Sequence, residues 1–153
     1  MRSYRMGESL LLNIHRALST HLINQKNTGE VIMSYKVVKS WKTKAGLDAC
    51  VLLVNGDSHH CGYVEVPEAI SHLNFCDWDE DGVSISVHGG VTYQGKPEWA
   101  NGKHVIGFDC AHAGDKTKYS YIDDNDVWRD EEYCVNECES MAEQLINLVP
   151  KIN

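Results

Sequence analysis

Two short segments concentrate the residue types that can hold or transform a small molecule: Val87-His88-Gly89-Gly90-Val91-Thr92-Tyr93 and Gly107-Phe108-Asp109-Cys110-Ala111-His112-Ala113-Gly114-Asp115. Adjacent glycines inside a β-rich pattern weaken a strand, so they mark either a bulge or a place where another group approaches the backbone closely. If that group is a ligand, His88 supplies an acid, base or metal-binding nitrogen and Thr92 a hydroxyl. The bland alternative is a glycine bulge beside a structural histidine. In the second segment, strand alternation puts Gly107 and Asp109 on one face and Phe108 and Cys110 on the other, leaving the Asp109 carboxylate room beside a residue without a side chain. His112 and Asp115 follow in the exit loop, where groups at a sheet edge converge on bound molecules.

The expected binding set is therefore His88, Gly89, Gly90, Thr92, Asp109, His112 and Asp115. Arg129 joins it because a planar fork of donors can pair with Asp109 or with a ligand anion. Within this set His88, Asp109 and His112 are the candidates for catalysis, and two histidines with a carboxylate also suit Zn or Fe. A divalent metal is thus the one cofactor the residues suggest, against the plainer reading of Asp-His structural hydrogen bonds. Serine-nucleophile and phosphate-cradling motifs are missing from the sequence.

Other clusters carry less. Asp77-x-Asp79-x-Asp81-Gly82 matches the first half of a calcium loop, but His88 stands where the bidentate glutamate belongs. His59-His60-Cys61 with Cys76, or Cys134 and Cys138 on one helix face, could bind zinc, yet the paired Cys-x-x-Cys spacing is lacking. Core thiols are the better expectation for these cysteines. Asp123, Asp124, Asp126, Asp130, Glu131 and Glu132 surround Arg129 with acid, which usually marks a solvated helix entry.

These residues need a frame to hold them. Tyr35, Val37 and Trp41, then Cys50-Val51-Leu52-Leu53-Val54, then Gly62-Tyr63-Val64-Glu65-Val66 read as strands separated by Ala45-Gly46 and Asn55-Gly56-Asp57 turns. A short helical stretch is expected near Glu68–Leu73. The alternation of Val83-Ser84-Ile85-Ser86-Val87 predicts a strand that delivers His88, and His104-Val105-Ile106-Gly107-Phe108-Asp109 predicts a fifth after the loop Gln94–Lys103. About 20 polar residues follow, a length usual for working or mobile loops. Cys134, Cys138, Met141, Leu145 and Leu148 then repeat at helical spacing, giving a helix over 130–148 that opens on Asp130-Glu131-Glu132. The expected fold is α+β: an antiparallel sheet of about five strands packed with a C-terminal helix.

With 153 residues, 42% of them hydrophobic, the chain can bury one core without disulfides or an obligatory metal. The boundary falls near Met33. Residues 1–32 form an N-terminal extension, with Leu11, His15, Leu18 and Leu22 predicting a helix over about 7–23, and residues 33–153 form a single α+β domain. Gly29-Glu30 is encoded by GGN-GAR, which can spell a ribosome-binding sequence, so translation from Met33 is a further expectation. The sequence has neither the ~20 apolar residues of a membrane span nor a signal peptide, which places the protein in the cytoplasm with reduced thiols. A net charge of −8 disfavours nucleic acid as a partner, because such binding draws on clustered Lys and Arg. A single nucleotide remains compatible, since a helix N-terminus or a glycine-rich loop can hold one without net basic charge.

Cys61-Gly62-Tyr63-Val64-x-Val66-Pro67, the two glycine-bearing segments above, and Arg129-Asp130-Glu131-x-Tyr133 together resemble a group of small, largely uncharacterised proteins carried by tailed phages and prophages. The likeness runs from about Gly62 onward, with shorter stretches here between Pro67 and Val83 and between Gly95 and Val105. It implies a phage-type accessory protein in the cytoplasm of an infected or lysogenic host, binding a small ligand such as a nucleotide signal, or a host defence protein. A metal-dependent hydrolase or phosphoesterase using His88, Asp109 and His112 is the rival expectation. A homo-oligomeric interaction scaffold is the third.

Overall fold

Turn residues cut the first half of the domain into a three-strand meander. In the structure, a computed structural model that describes residues 34–76, 80–118 and 123–150, the strands are β1 (Tyr35–Lys42), β2 (Asp48–Val54) and β3 (His59–Glu65). Thr43 closes the first turn by donating from its hydroxyl to Leu47 O (2.8 Å) and accepting from Leu47 N–H (3.1 Å). Asn55, Gly56 and Asp57 all adopt positive φ in the second turn, the conformation that Asn, Gly and Asp tolerate best. The expected helical stretch after Pro67 is a single 3-10 turn, Glu68–Ile70.

Two further strands, β4 (Tyr93–Gly95) and β5 (Val105–Asp109), complete an antiparallel five-stranded sheet in the order β1-β2-β3-β5-β4. The expected α+β architecture is therefore present, but one strand is a different one. Val83–Val87 keeps its alternation, with Ile85 buried between exposed Ser84 and Ser86, yet it pairs with no strand among the described residues. Side chains of a helix bind its backbone instead. Gln144 Oε1 accepts from Ser86 N–H (2.8 Å), Gln144 Nε2 donates to Ser86 O (2.7 Å), and Glu137 Oε2 accepts from His88 N–H (3.2 Å). Alternation reports that one face is buried; it does not say what satisfies the backbone. His88 consequently sits on an extended loop, and the fifth strand is the short Tyr93–Gly95, taken partly from the stretch expected to be loop.

That helix is α1 (Glu131–Leu148), close to its expected bounds. Asp130 caps it, its carboxylate accepting from Tyr133 N–H at 2.8 Å, and Glu131 and Glu132 place negative charge at the positive end of the helix dipole. Cys134, Cys138, Met141, Ala142 and Leu145 are fully buried against Ala49, Val51, Val64, Ile106 and Phe108 on one sheet face. On the other face Cys50, Leu52, Val54, Cys61 and Val105 pack with Trp99 and Ala100. β2 contributes to both clusters, which is why it reads as an unbroken apolar run.

All six cysteines are buried and, among the described residues, none is in a disulfide. Gly62 is the contact point of helix and sheet: a Cβ there would lie 2.4 Å from the Phe108 ring and 2.8 Å from Cys138 Sγ. No helix among the described residues is long and apolar enough to cross a membrane. The expected helix over 7–23, the Met33 start and the pair Asp77 and Asp79 of the calcium-loop pattern lie outside the described residues.

Gln144→Ala should strip both backbone bonds from Ser86. The expected loss is about 1–2 kcal/mol in urea unfolding, with faster amide exchange at Ser86 and His88. Unchanged exchange at both positions would count against the helix as partner of this segment.

Candidate functional site

The chain order of the chemistry-bearing residues is resolved by a single buried carboxylate. Asp115 has a side chain only 1% exposed, and isolated ionised groups are not stable in such a place. Three donors surround it: His88 Nε2 (2.8 Å) and His112 N–H (3.0 Å) on Oδ2, and Arg129 Nε (3.0 Å) on Oδ1. Burial pushes the Asp115 pKa up, but the hydrogen bonds from His88, His112 and Arg129 outweigh it and hold the carboxyl below its ordinary range.

Two limbs of the long polar loop deliver these donors. Asp115 and Val127 form a parallel bridge, with Lys116 N–H donating to Val127 O and Val127 N–H to Gly114 O, each at 2.9 Å. Arg129 follows two residues on, which puts it beside Asp115. Its expected pairing with Asp109 is not what the fold makes: the bridge brings the arginine to the other aspartate. The Arg129 guanidinium also lies over the Tyr133 ring, 4.9 Å from its centroid.

His88 is held from both sides, Nε2 by Asp115 and Nδ1 by the Tyr133 hydroxyl at 2.8 Å. The turn after it explains the paired glycines. Gly90 N–H donates to Val87 O (2.9 Å), and Gly89 and Gly90 adopt φ of 65° and 79°. The group that approaches Gly89 is a side chain of the protein itself: a Cβ there would stand 2.3 Å from the His112 ring. His112 thus lies directly on a bare backbone, with its ring centroid 6.0 Å from that of His88.

Asp109, at the end of β5, accepts from the Thr92 hydroxyl (2.9 Å) and from Ala111 N–H (3.1 Å). His112 Nε2 approaches Asp109 Oδ1 to 3.3 Å without the alignment of a hydrogen bond, and it is buried with no bonded partner among the described residues. The space expected beside Asp109 above Gly107 is occupied, because the Tyr63 ring fills it; a Cβ on Gly107 would be 2.4 Å from that ring.

All eight expected residues, His88, Gly89, Gly90, Thr92, Asp109, His112, Asp115 and Arg129, are therefore brought into one connected patch. His88, Asp109 and His112 do not form a donor set, since Asp115 and Tyr133 take both His88 nitrogens, and no group of three or more His, Cys, Asp or Glu among the described residues is arranged to hold a metal ion. The zinc alternatives resolve in the same way: His59 and His60 part to different partners, Ser58 Oγ (3.0 Å) and Arg129 O (2.8 Å), and Cys134 meets Cys110 Sγ at 3.6 Å.

Four residues outside the expected binding set also reach the patch. Tyr133 and Glu137 reach the site from α1, and the spacing of four from Arg129 to Tyr133 to Glu137 was their visible signal. His59 is lowered in pKa by burial, with the Asp109 and Asp115 charges acting against that shift. His60 packs edge-on to Trp128, at 5.4 Å between ring centroids. Both histidines reach the patch through the pairing of Cys61 with Asp109, a register that no local pattern announces.

Comparison with known proteins gives no matching family model, no matching curated protein and no matching solved structure.

Asp115→Ala should cost about 3 kcal/mol at pH 7, because it leaves Arg129 and His88 around an empty carboxylate position. A depressed folded pKa means that Asp115 stabilises above the ordinary carboxylate range and ceases to do so as pH falls through its folded value. The gap between wild type and variant in urea unfolding should accordingly narrow below about pH 4; a pH-independent gap would contradict the assignment. Gly89→Ala should displace His112, visible as shifted His112 ring resonances, with a loss of about 1–3 kcal/mol from positive-φ strain and contact.

Proposed function

We propose that this is a phage-type accessory protein that works in the host cytoplasm by stoichiometric binding of a small ligand of the nucleotide-signal kind at the His88–Asp115 patch. The observation that carries the reading is the partly exposed Arg129 guanidinium, held by Asp115 over a frame in which Tyr133 and Asp115 occupy both ring nitrogens of His88.

Tyr133, His88 and Asp115 do stand in the order of a hydroxyl–imidazole–carboxylate relay. Burial, and next the Glu137 charge, push the Tyr133 pKa up, which keeps its hydroxyl protonated. The inner layer is thus a fixed frame. The outer groups are about a third exposed, His112 at 34%, Asp109 at 30% and Arg129 at 27%, and these are the ones a ligand would meet. Arg129 retains guanidinium donors beyond Nε for an anionic group, and its plane over Tyr133 offers a flat surface to a base. Phage origin rests on the motif resemblance from Gly62 onward.

Isothermal titration with a panel of mono-, cyclic and cyclic di-nucleotides tests this directly. Saturable, stoichiometric binding is expected, weakened by Arg129→Ala, with the nucleotide recovered chemically unchanged after denaturing the protein. Conversion of a molar excess would make the protein an enzyme and overturn the proposal, as would an absence of binding across the panel.

A further inference from the structure

Asp115 Oδ2 and His88 Nε2 are 2.8 Å apart, and at that distance one of them must carry a proton. The carboxyl is held in its ionised form by three donors, so the proton is on Nε2. In the neutral imidazole this is the one N–H, so His88 Nδ1 then accepts from the Tyr133 hydroxyl at 2.8 Å. The same helix holds the same residue a second time, one turn later, where Glu137 Oε2 accepts from His88 N–H. A third grip lies at Gln144 on Ser86. The segment that ends in Gly89-Gly90 is therefore suspended from α1, and Gly89 is the surface on which His112 rests.

We infer that Tyr133 is a positioning residue of the binding patch: the Asp115–His88–Tyr133 chain fixes the Nε2–H tautomer and the rotation of His88, and through the Gly89-Gly90 turn it sets where His112 stands. For its consequence in ligand affinity this rests on the binding reading above. The Tyr133 ring also carries the Arg129 guanidinium, 4.9 Å from its centroid. One helix side chain thereby places two partly exposed groups of the patch, the His112 ring and the Arg129 guanidinium.

Nitrogen NMR of protein with labelled histidines tests the chain without any ligand. In the wild type, neutral His88 should show a protonated Nε2 and an unprotonated, hydrogen-bonded Nδ1. In Tyr133→Phe the Nε2–H tautomer should persist, because Asp115 remains, while His88 Nδ1 loses its hydrogen-bond shift and the His112 ring resonances move. Nucleotide affinity should fall roughly tenfold, the size of one typical hydrogen bond. A protonated Nδ1 in neutral wild-type His88 overturns the inference even if the variant fails to fold, and unmoved His112 resonances in a folded variant overturn it as well. Should the tautomer and the His112 shift appear while no nucleotide binds the wild type, the positioning chain stands and the binding reading falls. Binding without the tautomer gives the reverse.

Discussion

A carboxylate excluded from water organises this protein's candidate site. Burying Asp115 is tolerable only because charge and hydrogen bonds meet it from three separate stretches of chain: His88 from the loop after Ser86, the backbone of His112 from the exit of β5, and Arg129 from the entry to α1. None of these stretches is secured by the sheet alone. The ion cluster is what ties them to one another, and the bridge between Asp115 and Val127 is what puts the carboxylate within reach of its arginine. The arrangement follows from the general rule that an unpaired buried charge costs far more than a paired one.

The helix plays two parts that are usually separate. Its apolar stripe from Cys134 to Leu145 closes the core against the sheet, meeting it most closely at Gly62. Along the flank of that stripe, Glu137 and Gln144 act toward residues 86–88 as a neighbouring strand would, supplying a donor and acceptors to an extended backbone, while Tyr133 holds the His88 ring. Side-chain partners replace a ladder only at chosen positions. The segment can therefore leave the sheet plane and turn sharply at Gly89-Gly90, which a paired strand in the middle of a sheet could not do.

Much of this was legible in residue order. The helix and its acidic start, the turn at Asn55-Gly56-Asp57, and the apolar runs of β2, β3 and β5 follow from periodicity and turn chemistry. So did the membership of the patch, because paired glycines beside a histidine, and a histidine between two aspartates, are unusual enough to mark where groups must meet. What periodicity misread was Val83–Val87. Its alternation correctly reported a buried face at Ile85 but was silent on whether the backbone bonds to a strand or to glutamine and glutamate side chains. The bareness of Gly107 was equally readable and equally ambiguous, since the Tyr63 ring, rather than Asp109, uses the space.

The sequence by itself determined most of the elements, the turns and the eight residues of the expected set, because each depends on interactions between near neighbours in the chain. The tertiary structure decided the pairings. Arg129 chose Asp115 over Asp109, His88 gave up both nitrogens, Gly89 received a histidine of its own chain, and Tyr133, Glu137, His59 and His60 entered the patch from elements far away in sequence. The physical reason is that hydrogen bonds and ion pairs reach only about 3 Å. Which of several chemically equivalent partners is used is fixed by strand register and by the seating of a helix on a sheet, and those are settled by burial across the whole domain.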